Sequence, residues 1–451
     1  MRYHLITLGC AKNVADSDGI GAILAQAEIE YTARADIADV LIVNTCGFLQ
    51  ASRQESLDTL RDLASHKRDD QLLIAVGCLI SRYGAEIQRQ VPQVDGIIDA
   101  GHWLALPRLI YYLKGGETVP KDWLTDAYDG LPLEQLAARS IVEQLPRHPQ
   151  APSAYLKIAD GCDRPCAFCI IPAIKGAQRS KRPDSAIAEA RDLVARGVKE
   201  IVLVAQDTTA YGWDFGENDA LAGLIERMCR QVEGLEWLRL MYTFPGHITP
   251  RLIETLARYP QVVHYIDVPL QHAHPETLKR MKRPSLEITH TMLDTLRAAL
   301  PDLALRTTFI VGYPGETEEE YGALLDFLEE QQFDRVGIFE FSREDGTHAA
   351  TLPDQVPGKT KKYRRERAMA LQQKISLAKN KQCIGKAMRV LVEGFGDGMT
   401  VARSYRDAPE VDGVVLIQKE LPIGEFAHVK ITRAMEYDLI GEASPTSSLE
   451  P

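Results

Sequence analysis

Two hydrophobic patterns alternate along the first 100 residues. Continuous apolar runs at residues 3–8, 40–44, 72–76 and 96–98 indicate strands, and stretches such as 17–27 and 52–64, with helical spacing of their apolar residues, indicate helices. Continuous apolar strands that alternate with helices are typical of a parallel sheet buried on both faces. The pattern therefore predicts an N-terminal parallel α/β domain of three layers over residues 1–114.

A second series of apolar runs begins at residue 154 and is longer. Its predicted strands are 154–158, 200–205, 235–241, 262–268, 305–311 and 335–341, with helical patterns between them that include 186–196, 250–258, 288–300 and 318–330. Six β/α units predict a partial (β/α)6 barrel of the TIM type over residues 153–358, with its chemistry at the carboxyl ends of the strands. Residues 115–152, with scattered prolines and charges, are predicted to be a linker that carries a short helix.

Beyond the barrel the pattern changes twice. Residues 359–383 have helical spacing and a local charge of +8, and residues 359–385 are predicted to be a basic connecting helix. Short β-like runs at 388–393, 399–402, 414–417 and 427–434, separated by glycines, predict a small antiparallel β-barrel over residues 386–442. Residues 443–451 are predicted to be a disordered tail.

Composition narrows the class of protein. The 451 residues fit about three domains, and 45% hydrophobic with 25% charged residues is ordinary for a globular protein. No apolar stretch reaches the roughly 20 residues of a membrane span, and the apolar run before Cys10 is short for a signal peptide. The net charge of −11 argues against general nucleic-acid coating. We expect a cytoplasmic protein, monomeric and without membrane contact.

Three of the eight cysteines form a compact motif directly after the first predicted barrel strand. Cys162, Cys166 and Cys169 have C-x3-C-x2-C spacing, which lets one loop wrap three thiolates around one face of a cubane cluster. A structural zinc site is the alternative, although it requires a fourth ligand, and the nearest upstream candidate is His148. Eight cysteines are too few for a disulfide framework in a chain of this length.

This motif resembles the cluster loop of the radical S-adenosylmethionine superfamily. Phe168, just before the last cysteine, matches the usual aromatic position of that superfamily. The resemblance implies a 4Fe-4S cluster whose open iron binds the amino and carboxylate groups of S-adenosylmethionine. It also implies that reduction of the cluster cleaves the sulfonium and yields a 5′-deoxyadenosyl radical, chemistry that belongs to the cofactor.

Three further cysteines are far apart in sequence but equivalent in position. Cys10, Cys46 and Cys78 each follow an apolar strand, in the runs HLITLGC, DVLIVNTC and LLIAVGC. The carboxyl ends of parallel strands share one edge of the sheet, where open α/β sheets bind ligands, so the three thiols are expected to converge. Chance burial of three cysteines is the alternative, because free cysteine is among the most buried residue types.

Together the two cysteine sets resemble the methylthiotransferases, a radical S-adenosylmethionine family with two 4Fe-4S clusters. Residues 386–442 also look like the TRAM domain that ends these proteins. The resemblance implies that Cys10, Cys46 and Cys78 hold an auxiliary cluster that carries the transferred sulfur. It further implies that Phe168, Gln206, Gln271, Thr308 and Gly312 line the S-adenosylmethionine site.

Several of these positions also have an ordinary structural interpretation. Polar residues after a strand often cap the next helix, and Thr317 with Glu320 has the spacing of a capping box. His272 and His274 are too few for a metal site. The remaining thiols, Cys229 and Cys383, are expected to be spare. A basic patch is predicted soon after the cluster loop, formed by Lys175, Arg179, Lys181 and Arg182, and it either binds substrate or the cofactor carboxylate or is a solvated face.

The family resemblance leaves two substrate classes open, because one branch of the family modifies a transfer-RNA adenosine and another an aspartate of ribosomal protein S twelve. Residues 386–451 have a net charge of −4, which suits a basic protein better than phosphate. The motif runs resemble the ribosomal-protein branch; they are TLGCAKN, NTCGFL, ADGCDRPCAFCIIP, QDTTAYG, PLQHA and RTTFIVGYPGET.

The resemblance implies insertion of a methylthio group at the aspartate β-carbon, with two molecules of S-adenosylmethionine and a reductant such as flavodoxin or ferredoxin. It also implies that the substrate is ribosomal protein S twelve, free or in the small subunit. Residues 359–383 are expected either to contact ribosomal RNA or to form a solvated helix. The alternatives are a transfer-RNA adenosine methylthiotransferase and a non-catalytic iron–sulfur or zinc module that binds the ribosome.

Overall fold

The computed structural model describes residues 1–115 and 151–443. The predicted linker helix, His148 and the predicted disordered tail lie outside these residues. No helix of the described part is both long and apolar enough to cross a membrane.

The N-terminal domain is a parallel sheet covered by helices on both faces. Its elements are β1 (Arg2–Thr7), α1 (Ala11–Gln26), β2 (Glu30–Tyr31), β3 (Val40–Thr45), α2 (Gln50–His66), β4 (Leu72–Gly77), α3 (Cys78–Gln90), β5 (Gly96–Asp99) and α4 (Leu106–Lys114). The strand order is β2-β1-β3-β4-β5, and every pairing is parallel. One apolar cluster joins α1 and α4 to the sheet, and another joins α2 and α3 to its other face. The predicted three-layer fold is confirmed.

Two helices of this domain begin directly at a cysteine. The prediction that α1 starts near residue 17 is wrong, because the helix begins at Ala11 with Cys10 as its N-cap residue. The polar residues from Ala11 to Ser17 are helical because their side chains hydrogen-bond to the sheet. Asn13 donates to the carbonyl oxygens of Leu8 and Thr45, and Ser17 accepts from Asn44. Helix α3, absent from the predicted elements, begins at Cys78.

The central domain is an open barrel of six parallel strands. Its elements are β6 (Ser153–Lys157), β7 (Ala159–Asp160), α5 (Ile171–Lys175), β8 (Arg179–Ser180), α6 (Pro183–Ala195), β9 (Glu200–Val204), α7 (Ala220–Gln231), β10 (Trp237–Leu240), α8 (Pro250–Arg258), β11 (Val262–Asp267), α9 (Pro275–Arg280), α10 (Leu286–Ala299), β12 (Ala304–Val311), α11 (Glu318–Gln331), β13 (Arg335–Glu340) and α12 (His348–Thr351). The order β13-β12-β11-β10-β9-β6 matches the predicted partial (β/α)6 barrel. A small two-stranded sheet, β7 with β8, is an addition that lies across the loop with the three clustered cysteines.

The C-terminal part is a long helix followed by a closed five-stranded barrel. Its elements are α13 (Gly358–Lys381), β14 (Ala387–Gly396), β15 (Met399–Ser404), β16 (Val415–Ile417), β17 (Phe426–Ala434) and β18 (Leu439–Ala443). The ladder runs β14-β15-β16-β18-β17 and closes through the pairing of β17 with β14. The predicted barrel is confirmed, but its description as antiparallel needs a correction, because the unpredicted strand β18 pairs with β16 in parallel.

Residues from all three domains meet inside the open barrel. One buried apolar cluster contains Ala11 and Ala15 of α1, barrel residues such as Tyr265, and Leu391 and Ala408 of the C-terminal part. An open six-stranded barrel has an incomplete wall, and this shared cluster fills its interior from both neighbouring domains. The N-terminal sheet edge is therefore held against the carboxyl ends of the barrel strands.

Buried ion pairs reinforce both contacts. Arg82 of α3 pairs with Glu344 of the barrel at 2.9 Å, and Lys157 of β6 pairs with Asp16 of α1. On the other side, Glu200 of β9 accepts from Arg403 of β15 at 2.5 Å. The three domains thus share desolvated charges as well as apolar surface.

Candidate active site between the N-terminal sheet and the central barrel

A cavity of about 500 Å³ lies between the two α/β domains. Six thiols line it, three from the N-terminal domain and three from the barrel: Cys10, Cys46, Cys78, Cys162, Cys166 and Cys169. The structure thus brings together two sets of cysteines that lie in different domains and far apart in the sequence. It also places four of the residues predicted to contact S-adenosylmethionine on the cavity wall: Phe168, Gln206, Gln271 and Thr308.

The N-terminal thiols are presented by the turns that end three strands. Cys10 caps α1, Cys46 follows β3, and Cys78 opens α3 after a glycine with φ of 106°. Gly9 has φ of 98°, and a Cβ at this position would lie 2.9 Å from the sulfur of Cys46. Only glycine allows this left-handed turn to approach the neighbouring thiol so closely.

The barrel thiols lie on a loop fixed by backbone contacts. Gly161 has φ of 76°, and a Cβ there would lie 2.1 Å from the carbonyl oxygen of Ala177. The N–H of Cys162 donates to Gly176 at 3.1 Å, and the N–H of Ala167 donates to Met281 at 3.0 Å. The loop between the short strands β7 and β8 is therefore closed at its base and held against α9 at its tip.

The chemistry of these donors fits iron–sulfur clusters. Burial raises the pKa of the Cys46 and Cys162 thiols, and it raises the pKa of the Cys78 and Cys169 thiols to about 12. Such thiols are neutral unless a metal supplies positive charge, and thiolates are the ligands of iron–sulfur clusters. In the described ranges, no three His, Cys, Asp or Glu side chains are arranged as a metal-ion site. Cluster ligation by these thiols is therefore stated below as a proposal.

Buried polar atoms without partners point into the same region. Within the described part of the chain, Gln206 Oε1, Arg283 Nε and Arg164 Nη2 are buried and lack a hydrogen-bond partner. All three side chains line the cavity, and Gln206 is held by a 2.7 Å bond from its amide nitrogen to Asp160 Oδ1. Unpaired buried polar groups are costly, so these atoms are available to a polar ligand.

Two residues of the cavity wall have a strained backbone. Tyr242 has φ of 59° and Gln271 has φ of 78°, a region that side-chain-bearing residues seldom occupy. Each is held by neighbouring strands, because the N–H of Tyr242 donates to Asp267 at 3.1 Å and the N–H of Gln271 donates to Thr308 at 2.8 Å. Strain of this kind concentrates at functional sites.

Gly312, the fifth predicted cofactor contact, is not among the residues that line the cavity. Its N–H donates to Glu316, and a Cβ there would lie 2.3 Å from Cγ of Lys361. The glycine therefore leaves room for α13 to pack against the end of β12. This packing explains its place in the motif without a ligand contact.

Other predictions can be checked directly. Thr317 and Glu320 form a complete capping box, and His272 is buried against Glu316 at 3.0 Å. Cys229 lies in the barrel core. The predicted basic patch is partly wrong, because Lys175 pairs with Asp160 at 3.2 Å and Lys181 pairs with Glu189, both in buried positions. The acidic partners neutralise the positive charges of the two lysines, and neither partner could be assigned from the local sequence.

Sequence reasoning also missed several residues of the site, notably Lys12, Tyr242, Arg283 and Arg306. Tyr242 directly follows the predicted third barrel strand, so the rule that strand ends carry chemistry could have identified it. Arg306 is the one charged residue of its predicted strand, which was also a usable signal. The contact of Lys12 with Tyr242 depends on domain packing, and the contacts of Arg283 with Pro269 and Cys166 depend on the tertiary fold of the barrel, so no local sequence pattern indicates either.

Comparison with known proteins defines the class. Residues 156–328 match the Radical SAM superfamily, residues 384–443 match the TRAM domain, and residues 2–99 match a family described as uncharacterized protein family UPF0004. A solved radical S-adenosylmethionine methyltransferase, TsrM from Kitasatospora setae, shares the fold with a TM-score of 0.57 at 14% identity, over 89% of this chain and 80% of that one. The chain is a radical S-adenosylmethionine enzyme, a class that binds a 4Fe-4S cluster and S-adenosylmethionine.

Curated relatives place it more narrowly. The ribosomal protein uS12 methylthiotransferase RimO of Roseiflexus sp. (strain RS-1) is 47% identical over 98% of this chain and 97% of its own length. The proteins of the same name from Chloroflexus aurantiacus and Desulforamulus reducens are 47% and 42% identical, over 98% and 97% of this chain and 100% and 98% of their own lengths. The chain belongs to the RimO family of radical S-adenosylmethionine methylthiotransferases.

Proposed function

We propose that this protein inserts a methylthio group at the β-carbon of an aspartate in ribosomal protein uS12. The observation that carries the proposal is the convergence of six thiols, three from each α/β domain, on one cavity. A methylthio transfer needs radical generation and a sulfur source within reach of one substrate carbon. Two sites on the same cavity wall meet that requirement, and the family assignment supports the substrate.

The residues divide between two cluster sites. We assign one 4Fe-4S cluster to Cys162, Cys166 and Cys169, and a second to Cys10, Cys46 and Cys78. When bound, the clusters and two molecules of S-adenosylmethionine supply the sulfur, the methyl group and the radical. Gln206, with its unpaired buried oxygen, and Arg283, 3.5 Å from the sulfur of Cys166, are placed to orient the cofactor beside the first cluster.

A second surface supports a ribosomal substrate. Of the nine basic residues in the predicted basic segment, Arg364 is buried against Glu316 and Lys361 donates to the carbonyl of Phe341. Six others are exposed on α13: Lys359, Lys362, Arg365, Arg367, Lys374 and Lys381. We propose that this face contacts ribosomal RNA when uS12 is presented in the small subunit. A ribosomal substrate also implies a cytoplasmic location. We further propose that the enzyme is monomeric and that flavodoxin or ferredoxin is its reductant.

The test is anaerobic reconstitution, followed by mass spectrometry of uS12 after incubation with S-adenosylmethionine and a reductant. We expect about eight irons per chain for two cubane clusters and a methylthio gain on one aspartate. Cys166→Ala and Cys46→Ala should each lose about half of the iron and all of the product. Cys229→Ala removes a core thiol outside the cavity and should retain both.

Each alternative predicts a different result. Methylthio adenosine in transfer RNA, with unmodified uS12, would favour the transfer-RNA enzyme. Zinc in place of iron, or ribosome binding without any product, would favour the non-catalytic module. Intact clusters with no product on either substrate would refute the proposed function.

A further inference from the structure

One cation of the cavity has no assigned role. Lys12 lies on α1, two residues after Cys10, and its side chain reaches the barrel, where Nζ lies 3.5 Å from the centre of the Tyr242 ring. Lys12 lines the cavity together with both sets of thiols. Within residues 1–115 and 151–443, its ammonium group makes no ion pair and no hydrogen bond.

Three of the other cations of the cavity wall are already in ion pairs. Arg164 pairs with Asp207 at 2.5 Å, Lys175 with Asp160, and Arg306 with Asp267 at 2.8 Å. Arg283 lies against the barrel thiols, at 3.5 Å from the sulfur of Cys166. Lys12 is therefore the cation on the N-terminal side that retains its capacity for an anionic ligand.

The backbone that carries the ring beneath Lys12 is held in place by hydrogen bonds. Tyr242 has the strained backbone described above, and its carbonyl oxygen accepts bonds from the N–H and the hydroxyl of Thr208 at 3.0 and 3.1 Å. An aromatic face attracts an ammonium group but does not use its three N–H donors in directed bonds. The contact with Tyr242 thus positions the charge and leaves its donors available.

We propose that Lys12 binds the β-carboxylate of the target aspartate. This inference rests on the proposed function and adds a substrate-binding residue to it. A carboxylate accepts charge-assisted bonds from an ammonium group, and these are the strong hydrogen bonds of a desolvated site. Because Lys12 lines the same cavity as Cys10, Cys46 and Cys78, a carboxylate bound to it holds the adjacent β-carbon on the side of the thiols assigned to the sulfur-carrying cluster.

A competing role for Lys12 is to neutralise the thiolates around Cys10. That role predicts that loss of the charge lowers the iron content of the N-terminal site. Binding of the substrate carboxylate predicts intact clusters and weaker binding of uS12. The two roles can therefore be separated by measuring iron and binding on the same protein.

The experiment compares reconstituted Lys12→Met, Lys12→Arg and wild-type enzyme, with Lys419→Met as a control at an exposed lysine of the C-terminal barrel. Equilibrium binding is measured with uS12 and with uS12 in which the target aspartate is replaced by asparagine. Loss of one charge-assisted bond predicts a Kd that rises about ten- to a hundredfold for Lys12→Met. Lys12→Arg should recover most of the affinity, and Lys419→Met should match the wild type.

The decisive comparison combines the Lys12→Met enzyme with the uS12 in which the target aspartate is replaced by asparagine. If Lys12 contacts the aspartate, the asparagine substrate weakens binding to wild-type enzyme but has little further effect on Lys12→Met. Independent, additive effects would overturn the proposal, as would wild-type affinity in Lys12→Met or loss of iron from it. Failure of the proposed function would show differently, as wild-type enzyme that leaves uS12 unmodified.

Discussion

The buried carboxylate of Glu200 is predicted to be a major source of stability at the junction of the central and C-terminal barrels. Glu200 accepts from Arg239 Nε at 2.6 Å and from Arg403 at 2.5 Å, and its side chain is 0% exposed. Burial alone would raise the pKa of the Glu200 carboxyl. The two guanidinium groups outweigh this effect and hold the pKa at about 2, below its ordinary value of 4.5. This difference corresponds to about 3 kcal/mol of folding free energy at neutral pH.

Glu200→Gln removes the charge and keeps the size of the side chain. We expect the free energy of unfolding at pH 7 to fall by about 3 kcal/mol, because both arginines lose a buried partner. Urea unfolding can be followed by tryptophan fluorescence, since the Trp237 ring lies 4.8 Å from Phe426 of the C-terminal barrel. A matched control is Glu236→Gln, which breaks the half-exposed pair with Arg389 at the same junction and should cost at most about 1 kcal/mol.

The pH dependence gives an independent check. Since the pKa of Glu200 is lower in the folded state, its contribution is present above pH 4.5 and is lost as the pH falls towards about 2. Glu200→Gln should lack this part of the acid destabilisation, whereas Glu236→Gln should retain it. Equal losses in the two variants, or an unchanged acid limb in Glu200→Gln, would refute the argument from burial.

Three smaller predictions concern the turns around the site. Gly9→Ala should lower the iron content of the N-terminal site, measured after reconstitution, because its Cβ would lie 2.9 Å from the sulfur of Cys46 in a left-handed turn; full iron loading would contradict this. Gly312→Ala should lower the melting temperature without changing S-adenosylmethionine affinity, because the new Cβ meets Lys361 and not the cavity; a selective loss of cofactor affinity would restore the original assignment. Thr317→Ala should destabilise the protein by about 0.5–2 kcal/mol through loss of the capping box, measured by urea unfolding, and an unchanged midpoint would count against the cap.

The fold and the convergence of the three N-terminal thiols could largely be predicted from sequence because both follow from strand topology. Parallel strands bring their carboxyl ends to one edge, so cysteines after β1, β3 and β4 must lie near one another whatever the loops do. The contact of Lys12 with Tyr242 could not be predicted in this way. It depends on how α1 docks on the barrel, and neither local pattern encodes that docking.

Buried charges were the second source of error. Lys175 and Lys181 read as a surface patch because a local run of cations is usually solvated. In the structure both lysines are buried, and each forms an ion pair with a buried carboxylate, that of Asp160 or Glu189. Strand β18 was not predicted, because its five residues include Gly441 and Glu442 and it is defined by its pairing with β16 and β17.

The parallel pairing of β18 has a consequence for biosynthesis. The C-terminal barrel lacks the strand between β16 and β17 until residues up to Ala443 have left the ribosome. Arg403, the partner of Glu200, lies on β15 of that barrel, so the buried ion pair between the central and C-terminal barrels is completed late in synthesis. Translation order thus delays completion of the C-terminal barrel, which supplies the buried partner of Glu200, until the last of the described residues has been made.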